Sequence, residues 1–216
     1  MKLTVFDMDH TLIANDCSVE LAHQLYLDGH DPAQRSLAQQ KVFLELYQQG
    51  DFDIVAQVRD SWHSLHALAE AEQASLLTRL AERVVSDYAF PDALAALQAA
   101  QGEGGVLIVS ATIAPVTQAV AARLGCQHAI GMALDEDDQL VRPTSYQTGK
   151  PECIQAWLAE QNLSPTHITA YSDSLHDAAM LALADTAYVV NPDAKLLARA
   201  HQEGWQVLDW KAPPSA

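Results

Sequence analysis

The stretch TVFDMDHTLI, residues 4–13, sets two carboxylates, Asp7 and Asp9, on either side of Met8 directly behind a run of strand-forming residues. Leu3 to Phe6 is of strand length and apolar, which predicts a buried strand with Asp7 at its carboxyl end and Asp9 in the loop that follows. One polar residue suffices to cap such a turn by accepting backbone hydrogen bonds. A second carboxylate so close adds repulsion, and the rest of the chain must supply what offsets it.

Other segments of the same texture recur. Val106 to Val109, Ile168 to Tyr171, Tyr188 to Val190 and Gln206 to Leu208 are short runs rich in β-branched or aromatic residues. Between them lie stretches with helical spacing. Ala114 to Leu124 has Pro115 in its first turn and stops at Gly125; Pro151 to Gln161 places Ile154, Trp157 and Leu158 on one face; Asp193 to Glu203 ends at Gly204. Strands apolar on both faces and separated by helices predict a parallel α/β sheet.

Residues 15–87 break this alternation. Val19, Ala22 and Leu25, then Leu37, Phe43, Leu44 and Tyr47, then Ile54, Val58, Trp62 and Leu65, then Leu76, Leu77, Leu80 and Val84 recur at three to four residues. The pattern predicts four consecutive helices inserted after strand one, forming a helical cap (15–87) on an α/β core made of 1–14 and 88–216. The insert leaves from the carboxyl end of a strand, the edge at which open α/β sheets bind ligands.

Composition narrows the function. Lys plus Arg number 12 against 28 Asp plus Glu, a formal net charge of −16. A nucleic-acid partner calls for the opposite balance. No segment approaches the roughly 18 apolar residues of a membrane span, and Asp7 interrupts the first apolar run too early for a signal peptide. A cytoplasmic protein is expected. Cys17, Cys126 and Cys153 have no CxxC spacing and read as small buried hydrophobes. The acidic run Asp135 to Asp138 reads as a solvated turn. His63 and His66 lack a third ligand and read as partly buried histidines; Trp62 and Tyr47 read as cap core.

If the strands are parallel, their carboxyl ends meet at one crevice. Asp7 and Asp9 would then be joined by Ser110 at the end of VLIVSAT, by Asp173 and Asp177 in YSDSLHD, and by Lys150 at the start of a helix. Four acids repel unless a cation shares them, and a hard divalent ion takes oxygen ligands, so Mg²⁺ is expected. A magnesium ion, a lysine and a hydroxyl together receive a phosphoryl group. Two carboxylates of different environment then divide the chemistry: Asp7 as nucleophile, Asp9 as general acid and base.

These segments resemble the four motifs of the haloacid dehalogenase superfamily: FDMDHTL, VLIVSAT, Lys150 in TGKPE, and YSDSLHD. The helical insert resembles the cap of its phosphoserine-phosphatase-like branch. The resemblance implies a Rossmann-like parallel sheet core flanked by helices and an Mg²⁺-dependent phosphomonoesterase with an aspartyl-phosphate intermediate. It implies metal binding by Asp7, the Asp9 carbonyl and Asp173, phosphate binding by Ser110, Ala111 and Lys150, and supporting roles for Thr11 and Asp177. Ser172 stands where glycine is frequent, and His176 where asparagine is.

The expected partner is a small phosphate ester, with oligomeric state unspecified. Asp16 suits either a substrate ammonium or a helix N-cap. Arg59 is the best-placed cap arginine for a substrate carboxylate, with Arg35, Arg79 and Arg83 read as surface charges; His10 and His176 are candidate wall residues. Phosphoserine fits if Asp16 and Arg59 act together, and an amino-alcohol phosphate such as histidinol phosphate fits if Asp16 acts alone. Metal-free dehalogenation is disfavoured by Asp9, and a phospho-receiver module by the long insert; a non-catalytic scaffold is disfavoured by the complete set of catalytic positions.

Overall fold

The computed structural model describes residues 1–31, 34–49 and 53–213; among these, the side chains of 44, 45 and 47–49 are outside the description, so the expectations for Leu44 and Tyr47 are not addressed. In chain order the elements are β1 (Lys2–Phe6), α1 (Cys17–Leu27), α2 (Arg35–Gln49), α3 (Ile54–His66), α4 (Glu70–Tyr88), α5 (Pro91–Glu103), β2 (Gly104–Ile113) and α6 (Ala114–Arg123). They continue with β3 (Ala129–Met132), α7 (Gly149–Glu160), β4 (His167–Ser172), a single 3-10 turn (Leu175–Asp177), α8 (Ala178–Leu183), β5 (Thr186–Val190), α9 (Ala194–Glu203) and β6 (Gln206–Leu208).

The six strands form one parallel sheet in the order β3-β2-β1-β4-β5-β6. The chain winds outward from β1 in one direction and then, from β4, in the other. That reversal beside β1 creates the crevice at the strand ends. Alternation along β1 and β2 divides the core: Leu3, Val5, Leu107 and Val109 join Ile154, Met180 and Leu196 on one face, while Phe6, Val106 and Ile108 join Val116 and Val120 on the other. The in-register residues Phe6, Tyr171 and Tyr188 stack across three strands, with ring centroids 4.6 Å apart at each step.

The four expected cap helices are α1 to α4. Asp16 caps α1 and Asp53 caps α3, each accepting two backbone N–H bonds. The chain leaves and re-enters the sheet side by side: the Ala14 amide donates to the Tyr88 carbonyl at 2.7 Å and the Phe90 amide to the Leu12 carbonyl at 3.0 Å. The insert is rooted as well as tethered, because Leu21, Val58, Leu65, Leu76, Leu80 and Val84 belong to the same buried cluster as Phe6, Ile108 and Val116.

Three elements were not anticipated. α5 is Ala-rich, with a weak apolar stripe; β3 is four residues long and includes Gly131; α8 has only six residues. β2 also runs past its expected end at Val109 to Ile113, with a register shift against β3. Bulged strand ends are common beside active sites because they re-aim side chains. Among the described residues no helix is long and apolar enough to cross a membrane, and the three cysteines are free and buried.

Leu80 is fully buried in α4 within the cluster shared by insert and sheet. Leu80→Ala is expected to lower unfolding free energy by about 2–5 kcal/mol, measured as a shift in the urea midpoint.

Candidate active site

β1 ends at Phe6, paired with Ile108 of β2 and Tyr171 of β4, which sets Asp7 beside the end of β4 and within the longer β2. The Asp7 amide continues the ladder by donating to the Tyr171 carbonyl at 3.0 Å. Its carboxylate is buried. Oδ1 accepts from Lys150 Nζ at 2.7 Å, and Oδ2 lies 3.1 Å from the Thr11 hydroxyl. Lys150 also donates to Asp177 Oδ2 at 2.7 Å, so one ammonium bridges two carboxylates while only 2% exposed.

The approach of Lys150 depends on Gly149. A Cβ there would stand 2.1 Å from the Thr144 carbonyl oxygen, closer than any contact tolerates. Ser145 ties the same loop to β2 through a 2.6 Å bond to the Ser110 carbonyl. Ser172, the residue that replaces the more frequent glycine, donates its hydroxyl to Asp177 Oδ2 at 2.8 Å. It therefore orients the acid that orients the lysine. Asp177, expected as a further metal ligand or as an orienting residue, accepts from both Lys150 and Ser172.

Asp173 follows β4. Its Oδ1 lies 2.7 Å from the Thr11 hydroxyl, and its amide donates to the same oxygen at 2.9 Å. Thr11 carries one proton and faces two carboxylates, so it cannot serve Asp7 and Asp173 at full strength together. Burial, then the nearby Asp7 charge, push the Asp173 carboxyl well above its ordinary value. Burial likewise carries Asp7 from 3.8 to about 6, outweighing the opposing pull of Lys150. Lys150 is held charged: burial draws its pKa down, but Asp177 and Asp7 raise it further. Asp7 and Asp177 thus share a single ammonium, and Asp173 has the Thr11 hydroxyl beside it. This excess of hard oxygen donors fits a divalent cation between Asp7 and Asp173.

Asp9 points elsewhere. Its Oδ1 accepts from the Cys17 amide at 2.7 Å, and Oδ2 from the hydroxyls of Ser110 at 3.0 Å and Thr112 at 2.8 Å. Thr112 was not foreseen, although it lies two residues beyond Ser110 on the same strand; that period of two was the available signal.

Around these groups lies a cavity of about 100 Å³. Asp7, Asp9, His10, Asp16, Ser110, Ala111, Lys150, Asp173, His176 and Asp177 all line it, so most of the candidates meet in one place. Phe43, Ile54 and Gln57 line it from the insert, and Tyr146 from the loop before α7. Thr11 touches Asp7 and Asp173 from beneath. Asp16 has the capping role in full, with Oδ1 accepting from the Ser18 and Val19 amides at 2.8 and 3.0 Å, and it also faces the cavity. Burial and Asp9 raise it to about 6.

Arg59 is not among the cavity-lining residues. Its Nη2 donates to the Asp138 carbonyl at 2.9 Å and its Nε lies 3.1 Å from the Asp138 carboxylate. A guanidinium drawn to a carboxylate outside the cavity is not positioned to read a substrate carboxylate, and the expected role finds no support there. His63, one turn along, reaches the same carboxylate at 2.8 Å. His63 and His66 are exposed, not partly buried: one pairs with Asp138, the other stacks on Trp62. The acidic turn at 135–138 therefore carries a contact between insert and core. Arg79 and Arg83 are paired with Asp28 and Glu20.

A model of the haloacid dehalogenase-like hydrolase family matches residues 4–182. The chain belongs to that family. Phosphoserine phosphatase SerB1 of Mycobacterium tuberculosis is 28% identical over 216 residues, covering 95% of this chain and 70% of that protein. Histidinol-phosphatase of Neisseria meningitidis is 28% identical over 222 residues, covering 97% and 99%. Among solved structures, a protein of unknown function from Bordetella pertussis Tohama I superposes with a TM-score of 0.86 at 26% identity, covering 96% of this chain and 98% of that one. A substrate-bound phosphoserine phosphatase shares the fold at 16% identity, with a TM-score of 0.64 and coverage of 96% and 92%. The hydrolase has the Rossmann-like α/β fold of its family, and its helical insert matches these neighbours.

The raised acids predict a pH effect. A carboxyl whose folded pKa exceeds its unfolded value binds its proton more tightly when folded, so its favourable contribution is present at low pH and is lost as pH rises toward the folded value. With metal chelated, Asp7 and Asp16 make the hydrolase more stable at pH 5 than at pH 7.5, the loss falling between about 4 and 6. Urea midpoints in EDTA at the two pH values measure this, and Asp7→Asn is expected to flatten the dependence.

Proposed function

We propose that this phosphoric monoester hydrolase is Mg²⁺-dependent and cleaves a small phosphorylated metabolite through an aspartyl phosphate on Asp7. The observation that carries the reading is the division of labour between two neighbouring acids. Asp7 accepts from Lys150 and shares the Thr11 hydroxyl with Asp173, while Asp9 is turned toward the cavity wall at Ser110 and Thr112.

In the first step an Asp7 carboxylate oxygen attacks phosphorus, and the bond from phosphorus to the ester oxygen breaks. Asp9 gives its proton to the departing alkoxide, which leaves as an alcohol. In the second step Asp9 takes a proton from a water molecule as that water attacks phosphorus. The bond to Asp7 breaks, inorganic phosphate leaves, and Asp9 is protonated for the next cycle. Lys150 neutralises charge on the phosphoryl oxygens, and Ser110 with the Ala111 amide supplies hydrogen-bond donors.

Mg²⁺ would be held by the Asp7 and Asp173 carboxylates and the Asp9 carbonyl, and would supply further positive charge to the phosphoryl group. Among the described residues no three His, Cys, Asp or Glu side chains form a ready metal cage. Mg²⁺ is typically held by one or two carboxylates and keeps water and phosphate oxygens as its other ligands. We assign residues 15–87 as the cap and a cytoplasmic location.

Release of inorganic phosphate from a panel of phosphate monoesters, with Mg²⁺ and with EDTA, tests the mechanism. Asp7→Asn is expected to abolish turnover, and Asp9→Asn to reduce kcat by roughly 10²–10⁴-fold. Turnover that survives in EDTA or in Asp7→Asn overturns the assignment.

A further inference from the structure

Several residues that line the cavity with Asp7 have not been assigned a task. Tyr146 and His176 stack on one another there, with centroids 5.8 Å apart and planes 26° from parallel. Gln147 fixes the pair from behind: its Nε2 donates to the Tyr146 hydroxyl at 3.1 Å and lies 2.9 Å from His176 Nδ1. Because the amide nitrogen is a donor, His176 Nδ1 is the acceptor, which makes the ring the Nε2–H tautomer and neutral. Gln147 holds this place in a left-handed conformation, φ 48°. A non-glycine residue kept there is held by its surroundings. Phe43 and Ile54 line the cavity from the insert. Four aromatic or apolar side chains thus line the cavity together with the acids.

Its charge is equally one-sided. Lys150 is the one Lys or Arg among the described residues that line the cavity, and it is committed to Asp7 and Asp177. Residues 32, 33, 44, 45 and 47–52, whose side chains are not described, include no Lys or Arg in the sequence. Arg59, Arg79 and Arg83 are each paired with an acid outside the cavity lining. A carboxylate on the substrate would enter a space bordered by Asp9 and Asp16 with no further Lys or Arg among the described lining residues to receive it, and a buried unpaired charge is costly.

Resting on the phosphatase reading above, we infer that the substrate is the phosphate ester of an alcohol that carries a planar ring and no carboxylate, and that Tyr146 and His176 select the ring. A ring laid on an aromatic pair gains stacking beyond simple burial. The cavity, about 100 Å³, sits below the 300–1,000 Å³ typical of sites for larger ligands. One small ring system suits it.

Four phosphate esters separate the two features: 2-phenylethyl phosphate, its analogue carrying a carboxylate on the carbinol carbon, ethyl phosphate, and phosphoglycolate. The expected order of kcat/KM places 2-phenylethyl phosphate first, roughly tenfold or more above ethyl phosphate, with each carboxylated compound below its parent. Tyr146→Leu is expected to cut the ratio of 2-phenylethyl to ethyl phosphate by about 3–10-fold, mainly through KM, and Tyr146→Phe to keep it. Preference for phosphoglycolate or for the carboxylated ring compound overturns the inference while leaving the phosphatase reading standing. So does a ring preference that Tyr146→Leu leaves intact. Absence of turnover on all four esters and on para-nitrophenyl phosphate, with Mg²⁺ present, overturns both.

Discussion

A buried ammonium lying between two carboxylates is the interaction on which the site depends. Lys150 joins Asp7 at the end of β1 to Asp177 after β4, and thereby links two adjacent strands to the first turn of α7. Removing Lys150 leaves two carboxylates in a place where water does not compensate them, which is more costly than the intact bridge is favourable. Much of the surrounding geometry serves this bridge. Gly149 lets the helix start come against the 144–146 loop, Ser172 turns Asp177, and the parallel pairing of β1 with β4 sets the separation of the acids.

The bridge also leaves the site short of positive charge. One ammonium serves Asp7 and Asp177, while Asp173 shares a hydroxyl proton with Asp7. The second acid of the opening motif escapes this crowding by turning to the end of β2, where a backbone amide and two hydroxyls receive it. The spacing of two residues thus separates two environments: one carboxylate in a cation-demanding cluster, the other in a neutral, hydrogen-bonded wall. Met8 between them is fully buried in the core and anchors the turn that sends them apart.

The sheet was legible in the sequence wherever a strand carries an apolar run, and five such runs matched five strands within a few residues. β3 escaped because an edge strand of four residues with a glycine carries no such run, and α5 because an alanine-rich helix presents almost no stripe. The core of the site was legible for a different reason. Lys150 in the first turn of a helix opposes the helix dipole, and paired acids at strand ends repel; such local conflicts mark places where chemistry outweighs stability. The wall of the cavity was less accessible. Tyr146 and Gln147 lie in a loop with no periodicity, and Arg59 looked available to a substrate because nothing in the one-dimensional pattern places Asp138, 79 residues away, beside it.

The shared hydrophobic cluster beneath the insert has a consequence for how the molecule folds. Helices α1 and α4 contribute their apolar residues to one buried cluster that also contains residues of the sheet and α6. Such an insert has no separate unfolding equilibrium of any depth, so helices and sheet are coupled into one cooperative transition. It follows that the insert is not a portable module: excised, it would lose the surface that orders it, and the sheet left behind would expose the apolar flank of α6.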